Sequence, residues 1–199
     1  MKLYYSPGAC SQAAHILLHQ TELPHESEAV DLHAKKTASG ADYFAINPKG
    51  SVPALQIGNE VLTENGAVLQ YIGDKAGNET LLPSSGMKRY RVIEWLAYLG
   101  SDVHKGFGPL FNSASSEDVK QGARDVVGKK FDFLEAKLDG QDYLTGPSMT
   151  VADPYLFAML GWTGMLGIDL AKWPRLTAFR QRMLERPSVQ AVMKAEGLA

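Results

Sequence analysis

The chain has 199 residues, with 20 lysines and arginines against 22 aspartates and glutamates, and a formal net charge of -2. Its mixed signs exclude the basic stripe that holds nucleic acid or an anionic membrane surface. A single cysteine excludes an internal disulfide framework, and five scattered histidines beside one thiol show no zinc spacing, so no metal is expected.

Lys2 to Tyr5 reads as a short strand, and the Met1-Lys2 start runs into Ser6-Pro7-Gly8 without an apolar segment of signal-peptide length, so a cytoplasmic protein is expected. Ser11 to Gln20 carries Ala13, Ala14, Leu17 and Leu18 on a helical period, and His25 to Val30 reads as a second strand. Asp42 to Ile46 predicts a short helix stopped by Asn47-Pro48. Val52 to Ile57 and Glu60 to Thr63 read as strands joined by Gly58-Asn59, followed by a helix over Gly66 to Lys75. Gly77 to Gly86 is a turn-rich connector. Beyond it the pattern is helical: Met87 to Phe111 and Glu117 to Leu138 as an antiparallel pair, a helix from Thr150, and helices over Pro174 to Glu185 and Pro187 to Glu196. Thr150-Val151-Ala152-Asp153 has the form of a capping box with Asp in place of Glu. Tyr155 to Ile168, broken by glycines, reads as a buried helix and its end rather than a membrane span.

Cys10 stands at the strand-to-helix junction, where unpaired N–H groups and the positive end of the helix dipole favour a thiolate. The alternative is a small buried hydrophobe, the ordinary fate of a free cysteine. Ala13 occupies the place of a second redox cysteine. Val52-Pro53 opens a strand with a residue that cannot donate to the sheet. Glu64-Asn65 opens a helix after a strand, a site suited to a carboxylate, although Glu64 also reads as a first-turn acid favoured by the dipole. His104 and Lys105 fall late in the long helix. His15, His19, His25 and His33 show no ligand spacing and are expected to be structural or exposed. Trp95, Trp162 and Trp173 are expected to anchor helix packing.

The order βαβ then ββα, with a helix-start cysteine and a proline-led strand, is that of the thioredoxin-like fold. Tyr5-Ser6-Pro7-Gly8-Ala9-Cys10-Ser11, Asn47-Pro48-Lys49-Gly50-Ser51-Val52-Pro53-Ala54-Leu55, Leu62-Thr63-Glu64-Asn65 and Thr150-Val151-Ala152-Asp153-Pro154 together resemble a bacterial beta-class glutathione transferase over essentially the whole chain. The resemblance implies an α/β plus all-α protein, with a thioredoxin-like glutathione-binding domain over 1–77 and an all-helical domain over 87–199 carrying the electrophile site, and no cofactor beyond glutathione as co-substrate. It implies catalytic roles for Cys10 and His104. It implies glutathione contacts from Val52 by its backbone, cis Pro53, Glu64, Asn65, Lys105 and Lys35, with Lys36 competing for the last role. Tyr5 and Ser11 stand where other classes keep catalytic hydroxyls and are counted with that set, although Tyr5 also reads as a core residue of its strand. Asn65 replaces the more usual Ser, and Ala97 replaces an Asn that in many relatives reaches the neighbouring subunit. An apolar electrophile is expected near Phe107, Phe111 and Trp162, and a homodimer is expected. Two other readings stand beside the transferase: a thiol-disulfide or deglutathionylating enzyme with Cys10 as nucleophile, and a non-catalytic ligand-binding module.

Overall fold

The computed structural model describes residues 1–199. Its sheet contains β1 (Lys2–Tyr5), β2 (Glu26–Asp31), β3 (Lys36–Thr37), β4 (Ala54–Ile57) and β5 (Glu60–Thr63), in the spatial order β3-β2-β1-β4-β5. Strand β1 is central because it is apolar: Leu3 lies opposite Ser27 in a parallel pair with β2 and opposite Leu55 in an antiparallel pair with β4. Both leucines are fully buried. The two-residue β3 has no expected counterpart, being too short to show a period. Strand β4 starts at Ala54, two residues later than expected, and the Val52-Pro53 bond before it is cis.

Helix α1 (Gln12–Thr21) buries every residue from Gln12 to Leu18, so it is no ordinary amphipathic surface helix. It packs against the sheet, against α2 (Asn65–Ala76), and against α7 (Asp153–Gly161) and α9 (Pro187–Ala195) of the helical half. One continuous core therefore includes Leu3 and Leu17 of the first half with Leu156 and Val192 of the second. Close approach at that seam requires Gly73 of α2, where a Cβ would come within 2.8 Å of Val151 and 2.9 Å of Leu82.

The expected long helix from Met87 is interrupted. Helix α3 (Gly86–Tyr98) passes into a π-helical turn over Leu99–Val103, then α4 (His104–Gly106) and α5 (Gly108–Phe111). Pro109 accounts for the break between the last two, since proline has no N–H and fits a first turn. The π turn has no signal in the hydrophobic period, and such turns recur next to functional residues. The antiparallel packing on α6 (Glu117–Lys137) is as expected: Trp95 meets Phe133 at 6.1 Å between ring centres, and Asp102 pairs with Lys130 at 3.1 Å. Helix α8 spans Pro174–Leu184.

Helix α7 starts at Asp153 rather than Thr150. Only half of the expected capping box forms. The Asp153 carboxylate accepts from the Thr150 N–H at 2.7 Å and the Thr150 hydroxyl at 2.9 Å, so that hydroxyl is spent as a donor instead of capping a backbone N–H. No helix is long and apolar enough to cross a membrane.

Candidate active site between the two halves

A cleft of about 640 Å³ lies where the loops of the first half meet α3, the π turn and α4. Cys10, Val52, Pro53, Glu64, Asn65, His104 and Lys105 line it, together with Ala97 and Tyr155. The sequence pointed to all of these except Tyr155. The structure does not bring Tyr5, Ser11 or Lys35 into that lining. Tyr5 is buried with its ring 4.7 Å from the His15 ring. Ser11 is buried, and its hydroxyl accepts from the Ser6 N–H at 3.1 Å, which closes the turn before α1. Lys35 reaches the Gly50 carbonyl at 2.8 Å, on the loop leading to Val52, whereas Lys36 lies exposed in β3.

The Cys10 environment corrects the expectation of a thiolate. Cys10 precedes the cap of α1, and the N–H groups of Gln12 and Ala13 are already taken by the Ala9 and Cys10 carbonyls at 3.0 and 3.3 Å. Its thiol donates to the Val52 carbonyl at 3.2 Å. Burial pushes the thiol up to about 11 from an ordinary 9.0, which leaves ~100-fold less thiolate at pH 8 than in a solvated cysteine. Alkylation of Cys10 by iodoacetamide at pH 8 is accordingly expected to run ~100-fold slower than that of an unstructured cysteine peptide, since the thiolate is the nucleophile. A rate matching the peptide's, measured by mass spectrometry, contradicts this.

The loop carrying Cys10 is clamped from the helical half at both ends of one residue. The Gly8 N–H donates to Glu196 at 2.9 Å, and the Gly8 carbonyl accepts from the Trp162 indole at 2.8 Å. From the sheet side, the Asn65 amide donates to the Cys10 carbonyl at 3.0 Å. That bond uses the group expected to meet a ligand and leaves Asn65 Oδ1 buried without a partner. Beside it, the first N–H groups of α2 have no intrahelical acceptor. Glu64 holds a positive φ of 72°, rare for a residue with a side chain, and its carboxylate pairs with Lys49 at 2.6 Å. No sequence pattern signals that backbone geometry.

His104 Nδ1 lies 2.7 Å from the Tyr155 hydroxyl. Burial lowers the His104 pKa and raises that of Tyr155, so both are neutral near pH 7. Either group can be the donor in this contact; in the tautomer in which the phenol donates to Nδ1, the proton of His104 sits on Nε2, the nitrogen left to donate to a ligand. Tyr155 was absent from the expected set, because its spacing on an all-apolar helix reads as core packing. Of the aromatic residues expected at the electrophile, Phe107 and Trp162 are buried against each other and only Phe111, 51% exposed, faces solvent. None of the three lines this cleft.

His15, His19 and His25, expected to be structural or exposed with no ligand spacing, lie together outside the cleft lining. A signal was present: His15 and His19 are four residues apart on a helix, hence on one face.

The family model described as "Glutathione S-transferase, N-terminal domain" matches residues 1–74, and that described as "Glutathione S-transferase, C-terminal domain" matches residues 98–187. The glutathione S-transferase GstA of Escherichia coli O157:H7 is 42% identical over 200 residues, covering 100% of both chains. A sphingomonad glutathione S-transferase solved in complex with glutathione superposes with a TM-score of 0.96 at 45% identity, covering 100% of each chain. A bacterial beta-class glutathione S-transferase of Sphingomonas chungbukensis gives 0.96 at 44% identity with the same coverage.

Proposed function

The chain belongs to the glutathione S-transferase family, in its bacterial beta class, and is a glutathione transferase; on that premise we propose how this site divides its chemistry. The main reaction is attack by the glutathione sulfur on the electrophilic carbon of a small apolar substrate. A carbon–sulfur bond forms, the bond to a leaving group such as halide breaks, and the thiol proton passes to solvent. The observation that carries this reading is the single cleft that brings the Cys10 thiol, held 3.2 Å from the Val52 carbonyl, together with Glu64, Asn65 and His104. Turned from that carbonyl toward the cleft, the thiol can donate its one proton to a glutathione sulfur, and while protonated it is a poor nucleophile itself. Neutral His104 supplies a second donor from Nε2, and donors aimed at a developing thiolate lower its pKa.

Glutathione lies along residues of the 1–77 half, with Val52 and the start of α2 at Glu64 and Asn65 as its principal backbone partners, and Lys105 opposite them. Lys35 acts from the rim through the Gly50 loop, in preference to Lys36, because its ammonium already points to that loop. Tyr5 and Ser11 support the loop instead of touching the ligand. The electrophile rests against the 87–199 half, beside Leu96, Ala97 and Tyr155. No cofactor beyond glutathione is needed for this step. The protein acts in the cytoplasm as a homodimer, which sedimentation at several concentrations tests.

Thiol exchange at Cys10 is the second activity. The Cys10 sulfur attacks one sulfur of oxidised glutathione, a mixed disulfide forms, and one glutathione leaves with the proton that Cys10 gives up. Incubation with oxidised glutathione followed by mass spectrometry is expected to add one glutathione to the wild type and none to Cys10→Ala. Conjugation of a chloro-dinitrobenzene substrate is expected to persist in Cys10→Ala within about tenfold, the loss of one thiol hydrogen bond of about 0.5–1.5 kcal/mol. Complete loss of conjugation in a folded Cys10→Ala makes the thiol-disulfide reading the correct one. No glutathione-dependent activity in either form favours the binding module.

A further inference from the structure

Helix α1 and the segment entering β2 gather a group of histidines outside the cleft. One ring nitrogen from each of His15, His19 and His25 lies within 4.8 Å of the others. Ring centres are 5.3 Å apart for His15 and His19, 5.3 Å for His19 and His25, and 6.5 Å for His15 and His25. We propose that these three residues bind a divalent transition-metal ion of the imidazole-preferring kind, with zinc as the reference ion and water in the remaining position.

The surroundings of each ring support a ligand set. His15 Nδ1 lies 2.9 Å from the Glu196 carboxylate, whose side chain is fully buried. A carboxylate beyond a ligating histidine fixes the ring and leaves Nε2 with its lone pair for the metal. His25 Nδ1 lies 2.8 Å from the Leu23 carbonyl. A carbonyl can only accept, so Nδ1 carries the proton and Nε2 of His25 is free to ligate. His19 sits beside both rings, its ring centre 5.3 Å from each. Imidazole suits zinc, copper and nickel, whereas magnesium and calcium require oxygen ligands that these rings do not offer.

The geometry is within reach of closure. Tetrahedral zinc at 2.0–2.1 Å from each nitrogen places the nitrogens about 3.4 Å apart. The widest pair therefore closes by no more than ~1.4 Å, within the swing of two half-buried imidazoles, while His15 stays fixed on Glu196. Bound metal would join α1, the entry to β2 and, through Glu196, the carboxy-terminal end of α9. This expectation reverses the absence of a metal site inferred from histidine spacing alone.

The test uses untagged full-length protein stripped with a chelator and titrated with zinc by calorimetry. Wild type and Cys10→Ala are expected to bind one zinc per chain, and His19→Gln and His25→Gln to bind at least tenfold more weakly. His15 is left in place because its removal strands Glu196 in the core. Melting curves of the metal-free forms establish that the substituted proteins are folded. Cobalt in the wild type is expected to give visible d–d bands without a thiolate charge-transfer band, an observation independent of any variant. No zinc uptake by the wild type, uptake unchanged in both folded histidine variants, uptake lost in Cys10→Ala, or a thiolate band with cobalt each overturns the site.

Discussion

Asp153→Ala is expected to destabilise the protein by about 3–5 kcal/mol. The carboxylate is fully buried and accepts from the Leu144 N–H at 2.9 Å, the Thr150 N–H at 2.7 Å and the Thr150 hydroxyl at 2.9 Å. Burial pushes its pKa up to about 6, so near neutral pH the group is mainly ionised and its charge is met by those donors. Alanine leaves two backbone N–H groups without an acceptor in a dry interior, each at about 1–3 kcal/mol. For a chain of this length the melting temperature is expected to fall by roughly 10 °C. Asp153→Asn, which keeps one oxygen, should lose less. A fall below about 1 kcal/mol for alanine, compared at one protein concentration, contradicts the argument.

Glu196→Ala is expected to act on both stability and the active-site loop. Its carboxylate accepts from the Gly8 N–H at 2.9 Å, meets His15 Nδ1 at 2.9 Å and takes the Gln12 amide at 3.4 Å. Removing a buried charged partner from such a set typically loses about 3–5 kcal/mol. Gly8 would then keep only its bond to Trp162, and the loop ahead of Cys10 would loosen. The slow alkylation of Cys10 is therefore expected to speed up in Glu196→Ala and to return toward the wild-type rate in Glu196→Gln, which can still accept. An unchanged alkylation rate in a clearly destabilised Glu196→Ala would show that the loop is held without this contact.

Much of the cleft was legible beforehand because its residues lie next to local punctuation. Cys10 follows a Pro-Gly break, Val52 precedes a strand-opening proline, and Glu64 and Asn65 open a helix, whereas His104 and Lys105 were singled out only by the family resemblance. Tyr155 was hidden because α7 is buried on all sides, so a functional hydroxyl and a packing ring look alike in its sequence. The half-formed cap at Thr150 was misread for a related reason. The motif names the partners but not which of them donates, and here the Asp153 carboxylate is the stronger acceptor for both groups of Thr150.

The amino-acid sequence determined the order of most strands and helices, because periodicity, prolines, glycines and caps act over a few neighbouring residues, and its four motifs carried the resemblance to the family. Only the tertiary structure decided the burial of Cys10 against Val52, the pairing of His104 with Tyr155 and the grouping of His15, His19 and His25. Each of these depends on burial and on partners distant in the chain: Val52 for Cys10, Tyr155 for His104, and Glu196 for His15. Desolvation and hydrogen bonding set a group's charge, and neither exists until the chain has closed around it.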